Sequence, residues 1–196
     1  LVKYAFALFL NHDFAKSLEV ANMGLKKNPR HAAFNRLAMY NNTDLKRFEE
    51  ALKAADVFFN ECDKADYSYL DYMYYGHLLE ELKKYDEAVG QYEKAVELDP
   101  TKTDLYKNIS SAYEQKNDYK KAIGAYHKYY SSLEKEKQTP DLQFQLGRLY
   151  YGAGTQPDSL TINAEERKQA LMSADSVFQV ISEAAPDSYL GNFWRA

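Results

Sequence analysis

His77, Glu80 and Glu81 stand at i, i+3 and i+4, so a helix would present one imidazole and two carboxylates on one face. Such a set begins a metal site. Zinc would need a further protein ligand, yet the other histidines, His12, His31 and His127, are scattered and no HExxH occurs. The reading is a polar face lining a groove. Gly152 to Gly154 reads GAG. A phosphate cradle would continue into Lys-Ser or Lys-Thr; here Pro157 follows, so a plain turn is expected. Cys62 lies between Glu61 and Asp63, and neighbouring negative charge disfavours a thiolate. It reads as a helix-end cysteine. Glu49-Glu50 and Glu165-Glu166 read as solvated faces. There is no GxSxG elbow. These residues predict no catalytic centre, no metal and no cofactor.

The elements that carry these residues are legible in the composition. Of 196 residues, 45% are hydrophobic and 28% charged, with a net charge of −4. That is enough apolar mass for a core under a solvated surface, and the weak acidity argues against nucleic acid as a partner. Only 8 Gly and 5 Pro leave little room for flexible linkers, while 18 Tyr and 10 Phe suit helix-on-helix packing with polar tips at its edge. One cysteine excludes an internal disulfide. No apolar run reaches the roughly 18 residues of a membrane span. The chain opens without Met and stops in FWRA, inside an expected helix, which predicts a fragment of a longer protein.

The segments YDEAVGQYEKAVELDP and YKKAIGAYHKYYSSLE are spaced by 34 residues. Around them, Tyr72, Tyr75, Gly76 and Leu79 answer to Tyr106, Ile109, Ser110 and Tyr113; Ala88, Tyr92 and Ala95 answer to Ala122, Tyr126 and Tyr129. Spacings of three and four place each set on one helix face. Small residues let two helices approach, and large ones fill the space between neighbours. This pattern resembles the tetratricopeptide repeat, a 34-residue helix–turn–helix unit. The resemblance implies an all-α fold: a right-handed α-solenoid of antiparallel helix pairs, with five repeats at about 1–30, 31–68, 69–102, 103–139 and 140–188. Residues 189–196 would start a sixth, all in one array. The wording of the repeats resembles that of bacterial members, exported ones among them, with a cytoplasmic place as the alternative.

Several departures carry expectations of their own. The second repeat runs long, and its frame is set on Leu37 and Ala38. Glu134 stands where Pro100 closes the preceding copy, so the helix from Tyr119 is expected to run on or fray, displacing the fifth repeat. Tyr151–Thr161 is expected as a long loop, and Asn163 with Glu166 as a capping pair starting a helix to about Glu183.

In the family, the first helix of each pair lines a concave groove, and the resemblance implies that Phe6, Asn35, Met39, Met73, His77, Glu80, Lys107, Ser111, Glu114, Phe144, Arg148 and Tyr151 face it. The family's clamp for a terminal carboxylate is missing from these positions. The resemblance therefore implies a non-enzymatic scaffold that binds a segment of a protein partner. The alternatives are an accessory domain of a larger enzyme or envelope-assembly protein, and a carbohydrate binder using Tyr67, Tyr69 and Tyr151.

Overall fold

The computed structural model describes residues 1–62, 66–157 and 162–184, and these are helical, without strands. The proposed sixth-repeat helix and Pro186 lie outside the described residues. The chain divides at Pro100 into two compact units. The N-terminal unit holds α1 (Val2–Leu10), α2 (Phe14–Leu25), α3 (Ala32–Asp44), α4 (Phe48–Asp56), α5 (Tyr69–Glu81) and α6 (Tyr85–Leu98). The C-terminal unit, from Thr101, holds α7 (Leu105–Gln115), α8 (Tyr119–Ser132), α9 (Pro140–Thr155) and α10 (Ala164–Ala184). Successive helices pack as pairs: α1 with α2, α3 with α4, α5 with α6, α7 with α8, and α9 with α10. Among the described residues no helix is long and apolar enough to cross a membrane.

Each of the first four pairs turns in the same way. His12, Lys46, Lys83 and Asn117 have φ of 58–59°, in the left-handed region. The next residue's N–H reaches five residues back: Asp13 to Leu8, Arg47 to Asn42, Lys84 to Leu79 and Asp118 to Tyr113, at 2.8–2.9 Å. This Schellman closure satisfies carbonyls that the helix end would leave open. None of the four residues is glycine, so each carries left-handed strain of roughly 1–2 kcal/mol, part of which a glycine would return as unfolded-chain entropy. Lys83→Gly is therefore expected to stabilise the N-terminal unit by roughly 0.5–1 kcal/mol, read as a raised denaturant midpoint at unchanged slope.

These turns also set the register. Lys46 follows His12 by 34 residues, as Asn117 follows Lys83. Counting back seven residues from each turn reaches Ala5, Met39, Gly76 and Ser110. The position expected to be small is therefore Met39 in the second repeat, one residue beyond Ala38, and the sequence-based frame there is off by one. The repeat's extra length falls between Lys46 and Lys83, where α4 continues into a π-helical turn, Val57–Glu61, closed by Cys62 N–H to Val57 C=O at 3.0 Å.

The helix from Tyr119 does not run on. It ends at Ser132, in register with Leu98 of the earlier copy. In place of proline, Gln138 Nε2 donates to the carbonyls of Tyr130 and Leu133, and Ser132 Oγ to that of Tyr129. A short 3-10 turn, Lys135–Lys137, follows, and Pro140 opens α9 in its first turn, where a missing N–H costs nothing.

The loop expected at Tyr151–Thr161 is also corrected: Tyr151–Thr155 belongs to α9. The reason is packing. A Cβ on Gly154 would stand 2.4 Å from Leu171 Cγ, and one on Gly152 would stand 2.4 Å from the Tyr119 ring. These glycines admit neighbouring side chains instead of making a turn. Residues 158–161 of that expectation lie outside the described residues. At the start of α10, Asn163 N–H donates to Glu166 Oε2 and Glu166 N–H to Asn163 Oδ1, both at 2.9 Å, a reciprocal cap.

Candidate binding grooves

In the C-terminal unit, the face of α7 meets α9 over an open depression of about 330 Å3. Its lining includes Lys107, Ser111 and Glu114 from α7, with Leu142, Gln145 and Arg148 from α9. Helical spacing puts 107, 111 and 114 on one face, and 142, 145 and 148 on the facing one. Arg148 spans the groove: Nη1 and Nη2 lie 2.8 and 2.9 Å from the two oxygens of Glu114, a bidentate pair, while Nε donates to Gln145 Oε1 at 3.1 Å. Lys107 is exposed and makes no ion pair among the described residues; its ammonium lies 5.2 Å from the Tyr129 ring centroid. The floor is fixed from below. Ser110 Oγ donates to the Ala122 carbonyl, and Tyr126 Oη to that of Leu142 at 3.0 Å. Burial pushes the Tyr126 phenol up to about 12, so it remains a donor.

The N-terminal unit has its own depression, about 290 Å3, beside the end of α3 and the face of α5. Met73, Tyr74 and His77 line it, with Asp44, Lys46 and Glu81 at its rim. Tyr74 donates to Asp44 Oδ2 at 3.1 Å and stacks on Tyr40 at 4.2 Å. Burial raises the Asp44 carboxyl above its usual range, the Tyr74 hydroxyl working against it. Burial also pulls the His77 imidazole below its ordinary value, against the carboxylates of Glu80, Asp44 and Glu81. Next to this depression, Asp71 is fully buried and takes Arg36 Nε and Nη2 at 2.7 and 3.0 Å and Tyr40 Oη at 2.6 Å.

The residues expected to line a groove therefore divide. Lys107, Ser111, Glu114 and Arg148 share one depression, and Met73 and His77 share another. Phe6 is 41% exposed and stacks on Phe9, and Tyr151 is exposed on α9. Phe144 packs against Phe178 of α10. Glu80 accepts from the Tyr92 hydroxyl at 2.8 Å. Asn35 and Met39 are buried. Asn35 Nδ2 is turned to the carbonyls of Pro29 and His31. The corrected frame puts Arg36, Tyr40 and Thr43 at those positions, which the sequence reading missed; Arg36 and Thr43 are partly exposed, and Tyr40 is buried against Tyr74 and Asp71. The 34-residue spacing of Phe14 and Phe48, matched by that of Tyr85 and Tyr119, was the signal in the sequence that could have found them. Among the described residues no three His, Cys, Asp or Glu side chains converge as a metal site.

Residues 76–117 match the TPR-repeat family model. The fold is that of a tetratricopeptide helical repeat protein. The C-terminal part of a TPR repeat-containing protein from Cytophaga hutchinsonii is 25% identical, with a TM-score of 0.74 over 100% of this chain and 69% of that one. YrrB, described as a TPR protein with an unusual peptide-binding site, is 14% identical, with a TM-score of 0.68 over 99% of this chain and 89% of that one. MamA from Desulfovibrio magneticus is 14% identical, with a TM-score of 0.65 over 95% and 94%. At these identities YrrB and MamA are similar in fold. No curated protein matches the sequence. The tetratricopeptide helix pairs thus hold α7 and α9, and α3 and α5, so that each pair of first helices presents one face.

Proposed function

We propose that this tetratricopeptide protein is a non-enzymatic scaffold that holds an extended segment of a protein partner against the α7–α9 face. The observation that carries this reading is the convergence of Lys107, Ser111, Glu114 and Arg148 on one open depression with a braced floor. An extended chain offers alternating side chains and unpaired backbone groups. The depression matches this with a hydroxyl, a cation, an ion pair and the apolar surface of Leu142 and Leu149. The peptide-binding site attributed to YrrB, a protein of similar fold, agrees with a groove of this kind.

Charge reversal tests the reading. Lys107→Glu and Arg148→Glu change groove side chains that are at least partly exposed. Each is expected to leave the helical circular dichroism intact and to weaken capture of a partner by at least about tenfold, the loss of one charged hydrogen bond. Photocrosslinking from position 111 in lysate, followed by affinity measurement with the captured segment, supplies the number. Crosslinks that persist unchanged in both variants would sink the reading.

A further inference from the structure

The second repeat departs from its neighbours at the positions that fill space. Counted from the left-handed turns, the third repeat carries Tyr72, Tyr75 and Leu79 there and the fourth Tyr106, Ile109 and Tyr113; the second carries Asn35, Ala38 and Asn42. Two amides and a methyl cannot fill what two aromatic rings and a leucine fill. A cleft of about 330 Å3 results, between α2 and α4 over α3, on surfaces separate from both depressions described above.

The cleft carries two amides, Asn35 and Asn42, at positions where the third and fourth repeats carry aromatic rings and a leucine. Asn42 is only 6% exposed, lines the cleft, and its side chain makes no hydrogen bond with any described residue. Asn35 donates through Nδ2, at the far end of the same helix face. At the mouth stand Arg47 and Lys53, neither ion-paired among the described residues, with Glu50 between them in sequence, so the lining carries a net positive charge.

We propose that this cleft is a second binding site, which takes an acidic residue of a partner peptide. The carboxylate sits at Arg47 and Lys53, and the adjoining peptide amide pairs with the Asn42 side chain. An amide side chain offers one donor edge and one acceptor edge, which is the complement of a peptide group. A carboxylate is the group that two cations beside an amide select. The site is independent of the α7–α9 face, and its failure would leave that reading untouched.

The test uses the full chain and side-chain amide resonances followed by NMR. N-acetylglutamate N′-methylamide is titrated as the probe, beside its glutamine counterpart and glutarate. The expected result is a saturable shift of the Asn42 amide pair with the glutamate probe, at least about tenfold weaker with the glutamine one. Asn42→Leu and Arg47→Gln are each expected to weaken the probe by a similar factor. Asn42→Leu restores the residue type that fills the space in the third repeat, so it is expected to fold at least as well as the parent; Arg47→Gln alters an exposed side chain. Absence of a saturable shift would overturn the site, as would affinity unchanged in both variants. Glutarate binding as tightly as the glutamate probe would overturn the peptide source.

Discussion

Asp71→Ala is expected to destabilise the N-terminal unit by about 3 kcal/mol, the lower end of the range for removing one partner of a buried ion pair. The carboxylate is fully buried and has no spare capacity: Arg36 holds both oxygens, Tyr40 donates to Oδ1, and Ser68 donates to Oδ2 through its N–H at 2.7 Å and its hydroxyl at 3.0 Å. Removing it strands the Tyr40 hydroxyl, at 1% exposure, and a guanidinium facing the Phe58 ring. It also releases the first turn of α5. The cost falls at the lower end because the Arg36 side chain is 27% exposed and can recover some hydration. Arg36→Met combined with Asp71→Ala is expected to cost clearly less than the sum of the single changes, since no charge is then left without its partner. Equilibrium denaturation of the four proteins checks this; additive costs would mean that the pair contributes nothing as a pair.

That network shows why part of the candidate site was illegible in the sequence. Arg36 and Asp71 are 35 residues apart, and nothing local ties an arginine in one first helix to an aspartate in the next. The helix pairs themselves were legible, because three-and-four spacing repeats every 34 residues and each copy says the same thing. The Asn163–Glu166 cap was legible too, because both halves of its chemistry lie within four residues. The register of the second repeat was not. Ala38 is small and lies next to the position where the other repeats are small, so it drew the frame by one residue and placed Asn35 and Met39 on the groove. A one-residue shift turns a helix face by about a quarter turn, which is enough to assign a residue to the wrong face. Gly154 misled in the opposite sense. Glycine is the residue that a left-handed turn prefers, yet here it serves the close approach of Leu171 from α10, a contact that the local sequence does not encode.

The same close approach underlies the second large effect, at Gly76. A Cβ placed there would stand 2.6 Å from Tyr92 Cε1 and 2.7 Å from Cδ1, well inside contact distance. The ring cannot retreat easily: Tyr92 is fully buried, its hydroxyl is held by Glu80, and the His77 ring stands at its edge at 5.5 Å. Gly76→Val adds three carbons to this contact, and the expected cost is about 3 kcal/mol, the upper end for overpacking a filled core. Propensity works the other way, since valine is the better helix former, so a loss of this size has to come from the collision. Tyr92→Ala alone is expected to cost about 3–5 kcal/mol by opening a cavity. In the double variant the valine enters the space that the ring vacates. The two changes should therefore couple favourably by more than 1 kcal/mol, within the range for residues in contact. Denaturant midpoints of the two single variants and the double one decide it. Costs that simply add would show that α5 and α6 separate freely, and that Gly76 is not what lets them close.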